Sequence, residues 1–319
     1  MGSAKMCPMK RGKWLILMGW MTMGMGASSV AWDVSGHMIT GQIAWERLRP
    51  EVRERVGDLV GRIPHQWNED RPYHLVTAAA WMDDWRSEPG NHLGVFHYVD
   101  FPYTPTGTFL QRRATPDLVS RLELCISELR VKSATKEAQA NALGMLVHLV
   151  GDVHQPLHTV DWGGDRGGNL YLLRGLPAVD PRLKILPNLH RFWDEAYRLD
   201  YVGGKIVEEW LRVELKDRPK VPGEGVIAKW AKELSGRFSR ELLANELGRK
   251  EPLEWARESH RIGCLAGYPE RAYPAPDEIG ELSGEFVRKA REIAGERLVL
   301  AGYRLGDLLN DIFGEEGKR

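Results

Sequence analysis

The sequence predicts an all-α protein, and three observations carry that expectation. Apolar residues recur at three- and four-residue steps through most of the chain beyond residue 31, the period of a helix with one buried face. Alternating strand pattern is weak everywhere, with at most a short piece at 169–173. No internal repeat or low-complexity linker divides the chain, and 43% hydrophobic residues over 319 positions suffice for one sizeable core.

The first 31 residues stand apart. Lys5, Lys10, Arg11 and Lys13 form a basic start, Trp14 to Gly26 is an uncharged apolar run of 13 residues, and Ser29 and Ala31 supply small residues for cleavage. That is the layout of a secretory signal, and the run is short of the roughly 20 apolar residues that span a bilayer. The expected division is therefore 1–31 as signal peptide and 32–319 as a single helical domain, secreted or periplasmic, without stable membrane association. Removing 1–31 takes away four basic residues and no acidic one, moving the formal charge from +0 to −4. A chain of that charge does not hold nucleic acid by bulk attraction, so any phosphate binding must be local. Cys7 leaves with the signal, and Cys125 with Cys264 are too few for a disulfide scaffold or a thiolate zinc site. Whether those two pair is open.

The helices follow in order. In EVRERVGDLVGRI, Val52, Val56, Leu59, Val60 and Ile63 fall on one face. Residues 116–131, 135–152 and 224–247 are further helix candidates. Phe286, Val287, Ala290, Ile293, Ala294, Leu298, Ala301, Leu305, Leu308 and Leu309 mark a long closing helix. Between them, 159–187 is rich in Gly, Pro and Asp and reads as a long loop, a feature often functional in compact domains.

The densest chemical signal is HLVGDVHQPLH. His148 and Asp152 stand four apart, so a helix projects both from one face, and Pro156 ends that helix with His158 just beyond. NLHRFWDEA repeats the spacing with His190 and Asp194, and Asp83 and His97 lie upstream in AWMDDWR and FHYVD. One such pair alone reads more readily as a surface ion pair or a hydrogen-bonded core pair. Two pairs with a third imidazole form a nitrogen and oxygen donor set without thiolates, which suits zinc in open catalytic sites. Several carboxylates and imidazoles in one apolar core would be costly without a cation.

Taken together, Trp32 with His37, WMD at 81–83, HYVD at 97–100, HLVGDVHQPLH, GGN at 167–169 and NLHRFWD resemble the zinc-dependent single-strand nucleases of the S1/P1 type. AGYRLGDLLN resembles that family's closing helix, so the likeness covers essentially the whole of 32–319. The resemblance implies three zinc ions in a cleft of a helical fold shared with bacterial zinc-dependent phospholipase C. Asp83, His97, His148 and Asp152 would hold the first, and His158, His190 and Asp194 the second. The backbone amine and carbonyl of Trp32, His37 and a bridging Asp152 would hold the third. On this reading signal removal creates a ligand. The resemblance also implies that Asp83 and Asp152 serve catalysis, that Arg86 steadies phosphate charge, and that Tyr98, Asp100 and Asn169 line a base pocket. The implied substrate is single-stranded DNA or RNA, cleaved to 5′-phosphate products, with 3′-nucleotidase action as a companion activity and no protein partner.

Two departures qualify the likeness. Asp33 follows the tryptophan where the family usually has Gly, and Arg166 stands where an apolar base contact is expected. His154, although inside the motif, is read as packing; His65, His74, His92 and His260 are read as surface or helix-cap histidines. The rival reading is a phospholipase C on the same scaffold, disfavoured by the short gap from Trp32 to His37 and by Asp194 in place of Glu. A non-enzymatic zinc-binding protein is the third.

Overall fold

The computed structural model describes residues 32–64, 72–85, 92–110, 116–176, 187–211, 213, 217–269 and 279–314. The predicted signal, His65 and Arg86 lie outside them. The architecture is all-α. Helix α1 (Val34–Arg47) is followed by α2 (Pro50–Val60), the one-turn helices α3 (Leu75–Ala78) and α4 (Trp81–Asp84), and then α5 (Leu118–Arg130) and α6 (Lys136–His154). After them come α7 (Leu189–Glu195), α8 (Gly225–Arg237), α9 (Ala244–Leu247), α10 (Pro252–Ile262) and α11 (Gly284–Gly314). No helix among the described residues is long and apolar enough to cross a membrane.

Local chemistry sets the helix starts. Asp33 caps α1 by accepting from the Gly36 N–H, Asp117 and Ser120 form a reciprocal box at α5, Thr135 caps α6 and Asn188 caps α7. Helix α2 buries Val52, Val56, Leu59 and Val60, as its period predicts, each contributing about 1.5–3 kcal/mol. From Ala142 onward every residue of α6 is buried, the mark of a helix enclosed on all sides. Pro156 prevents its continuation, and the Gln155 side chain accepts from the Leu157 N–H to start the 3₁₀ turn Pro156–Thr159.

Two apolar clusters make up the interior. One gathers α2, α5 and α6 around Trp81, Leu122 and Leu146; the other gathers α7, α8 and much of α11 around Trp193, Trp230 and Leu298. Trp45 packs against both, and α1 lies along α11. The two backbones approach closely at Gly302, where a Cβ would fall 2.6 Å from that of Ile43.

Three expectations need correction. The 224–247 helix is broken, because Phe238 leaves helical geometry to bury its ring and Ser239 opens a new turn. At 169–173 there are only isolated bridges, Leu172 to Asn188 and Leu173 to Gly280. The two-stranded sheet is instead the antiparallel hairpin β1 (Leu199–Val202) and β2 (Lys205–Glu208), turned by Gly203 and Gly204 at positive φ. His260 is neither surface nor cap: it is buried within α10 with Nε2 against the Pro102 carbonyl at 2.9 Å. Cys125 and Cys264 are separate buried thiols, and burial pushes Cys125 up to about 12, leaving it inert.

Asp84, next to the candidate ligand Asp83, is structural. Its two oxygens accept from the Arg218 guanidinium at 2.7 Å each, and Tyr73 donates at 2.9 Å. Arg218 is buried, so Asp84→Asn should cost roughly 3 kcal/mol of stability, seen as a lower denaturant midpoint at unchanged kcat. A midpoint equal to the parent's would contradict this.

Candidate metal centre

The site forms where the two apolar clusters meet, and short-range geometry brings its residues in. Helix α6 presents His148 and Asp152 from one face, and α7 does the same with His190 and Asp194. Asp83 comes from α4, His97 from the end of the 3₁₀ turn Leu93–Phe96, His158 from the turn after α6 and His37 from the first turn of α1. All eight side chains converge in the interior. Trp32 is also buried, its indole N–H donating to the Gly151 carbonyl at 2.9 Å, one residue before Asp152.

The two carboxylates of the first group divide their oxygens in the same way. Asp152 Oδ2 lies 3.0 Å from His97 Nδ1 and 3.4 Å from His148 Nε2, while its Oδ1 lies 3.3 Å from His37 Nε2. Asp83 Oδ1 is 4.0 and 3.9 Å from the same two imidazoles, and its Oδ2 is 3.8 Å from His37. His37 and His148 stack with centroids 3.9 Å apart. Donor atoms of His37, Asp83 and His148, of His97, His148 and Asp152, and of His158, His190 and Asp194 each lie mutually within 4.8 Å.

These donors fit divalent cations better than they fit one another. Neither nitrogen of His37 and neither oxygen of Asp152 makes a hydrogen bond, although all four atoms are buried, and such groups cost free energy unless something coordinates them. The second group is more telling. His158 Nδ1 meets the His97 carbonyl at 2.5 Å and His190 Nδ1 meets the Gly167 carbonyl at 2.6 Å. Carbonyls only accept, so both Nδ1 atoms carry the proton and both Nε2 lone pairs face each other at 2.8 Å. A cation held between them would relieve that repulsion. Burial holds His158 down to about 4. His148 Nδ1 is fixed in the same manner by the Ala79 carbonyl at 2.7 Å.

Charge follows the same pattern. Burial would lower His148, but Asp152 and Asp83 overcome it and raise it to about 9. Burial would raise Asp152, but His148 and His97 hold it well below the usual carboxylate range. Asp194 is pushed well above that range by burial, despite the Gln155 amide donating to it at 2.7 Å.

The residues expected to meet substrate are less buried than the cluster. Tyr98 is 40% exposed, which does not suit a core aromatic, and it lies between His97 and Val99, whose N–H bonds the His158 carbonyl. Asp100 is half-buried. Asn169 is half-buried too, and donates to the Arg166 carbonyl at 2.7 Å. Arg166 is the only non-glycine at positive φ among the described residues. His154, read as packing, bonds the Val150 carbonyl and Arg304 instead of the cluster.

Sequence reasoning missed the supports. Gln155 stands inside the motif, and its place between two ligand segments was the available signal. Gly151 is needed because a Cβ would come 2.7 Å from His37 Nδ1. Gly167 combines φ +62 with a Cβ position that overlaps the Leu157 carbonyl. Asp165 organises that loop by accepting from the Trp162 and Gly168 N–H groups and the Tyr268 hydroxyl.

With this geometry in place, comparison with known proteins is direct. A family model described as S1/P1 Nuclease matches residues 32–314. Nuclease P1 of Penicillium citrinum is 24% identical over 89% of this chain and 99% of its own length. Endonuclease 1 of Arabidopsis thaliana is 25% identical over 95% and 93%, and Nuclease S1 of Aspergillus oryzae 22% over 91% and 94%.

Proposed function

The chain belongs to the S1/P1 nuclease family of phosphodiester hydrolases, and from that premise we propose a secreted zinc enzyme that cleaves single-stranded DNA and RNA to 5′-phosphate products. The observation that carries the zinc is the pair of facing imidazole lone pairs at His158 and His190, beside carboxylates and imidazoles whose remaining donor atoms point into one buried volume. Asp83, His97, His148 and Asp152 would hold one ion, His158, His190 and Asp194 a second, and Trp32, His37 and Asp152 a third. When bound, the ions supply Lewis-acid stabilisation of phosphate charge and make a water acidic enough to serve as nucleophile near neutral pH.

The protein's own groups do the rest. Asp152, with its oxygens turned to different imidazoles, holds two of the positions in register. The Ala79, His97 and Gly167 carbonyls fix the tautomers of His148, His158 and His190, and Gln155 fixes Asp194. The exposed Tyr98 ring offers a stacking surface to any unstacked base, which favours single strands, while Asp100 and Asn169 meet the polar edge. His158, His190 and Asp194 would hold the ion that stabilises charge on the departing 3′ oxygen, and Arg86 would neutralise phosphate charge. The family match begins at Trp32, which supports removal of 1–31 and one domain from 32 onward.

The test is digestion of single-stranded DNA, RNA and duplex DNA by protein matured from its precursor, with zinc counted and the new ends analysed. Single strands should be cut faster than duplex, leaving 5′-phosphates. Zinc-replete protein that leaves 3′-phosphates, or hydrolyses only phosphatidylcholine vesicles, would end this reading.

A further inference from the structure

The residue after the tryptophan makes more contacts than a linker requires. The Asp33 Oδ1 accepts from the Gly36 N–H at 2.9 Å and from the Tyr197 hydroxyl at 2.7 Å, and its Oδ2 accepts from Arg198 Nε at 3.0 Å. The Asp33 N–H donates to the Asp194 carbonyl at 3.1 Å. Arg198 is fully buried and also holds Glu195 at 2.6 Å and Glu208 at 2.8 Å, so it is anchored independently of Asp33. Tyr197 and Arg198 follow directly on α7, the helix carrying His190 and Asp194.

We propose that Asp33, seated on Tyr197 and Arg198, is a positioning residue that docks the amino-terminal segment and sets the Trp32 backbone at the metal centre. The proposal rests on the reading that the mature chain begins at Trp32 and that this backbone is a ligand. Trp32 is then gripped from two sides: its indole is tied to α6 one residue from Asp152, and its following residue to α7 and the turn beyond. The peptide between Trp32 and Asp33 is planar, so aiming the Asp33 N–H at Asp194 turns the Trp32 carbonyl the opposite way. Free termini fray unless tied down. A carboxylate at 33 supplies that tie, locking both rotation and reach.

The experiment compares mature protein starting at Trp32 with Asp33→Asn, with Tyr197→Phe, and with a form carrying a methionine before Trp32. Zinc retained after dialysis against a weak chelator is counted per chain, and kcat, KM and the melting temperature in EDTA are measured. Asp33→Asn should weaken one zinc equivalent roughly tenfold or more, lowering kcat with KM unchanged. Tyr197→Phe, which leaves the buried Arg198 paired, should move the same quantities less, and the methionine form should lose the same equivalent. If both substitutions retain every equivalent and change only the EDTA melting temperature, Asp33 is a helix cap and the docking role is overturned, even where the methionine form loses zinc. Full retention by the methionine form removes terminal ligation itself, and the proposal with it.

Discussion

Asp152→Asn should reduce kcat by roughly a thousandfold or more while Asp84→Asn leaves kcat near the parent's, although both replace one carboxylate oxygen by an amide nitrogen. The scale is that of losing a principal charge-stabilising group in a water-poor site. Asp152 has one oxygen toward His37 and the other toward His97 and His148. An asparagine can keep one acceptor but must turn an N–H₂ donor toward the other side, so one of the two positions loses its oxygen whichever way the amide faces. The variant should therefore also bind less zinc. Asp84 points away from the centre to Arg218 and Tyr73, and its loss is read in stability. Measuring kcat, zinc content and denaturant midpoint on both variants separates the roles. Equal losses of kcat would mean that α6 does not present Asp152 to the metals.

How much of this was legible depends on distance along the chain. His148 with Asp152, and His190 with Asp194, could be paired from sequence because a helix turns spacing directly into proximity. Helix α2 could be read because its four apolar positions are those it buries. The supports could not. Three imidazoles are oriented by the carbonyls of Ala79, His97 and Gly167, and a backbone oxygen leaves no mark on residue identity. Asp33 and Arg198 meet across 165 positions, so Asp33 reads from sequence only as a missing glycine. His260 reads from sequence as a surface or helix-cap histidine because its acceptor at Pro102 is 158 residues away. The β1–β2 hairpin carries a Gly203–Gly204 turn signal, but its flanks, with Tyr201–Val202 and Ile206–Val207 as adjacent apolar pairs, lack the strict alternation that marks a strand.

Removing the metals should abolish hydrolysis and lower the melting temperature on the order of 10–20 °C, and the lowering should grow as pH rises from 7 to 9. The size follows from mass action, since each tenfold excess of zinc over its dissociation constant adds about 1.4 kcal/mol per site to the folded state. The pH trend follows from groups that titrate once the ions are gone. In the metal-free protein His148 is raised to about 9 against 6.5 for an ordinary imidazole, by Asp152 and Asp83 acting against burial. A histidine raised in the folded state contributes stability that is complete below 6.5 and is lost as pH climbs through about 9. Asp194 is shifted in the same direction, upward, by its burial. His158, lowered to about 4, opposes them, but its contribution is complete above 6.5 and does not vary in this window. Bound ions would keep His148 neutral, so the trend should be absent in the loaded protein and metal uptake should release protons. The decisive measurement is thermal unfolding with and without EDTA at pH 7 and 9, with zinc added back. A chelator effect that shrinks toward pH 9, or that zinc fails to reverse, would show that the buried imidazoles and carboxylates are balanced by one another and not by metal.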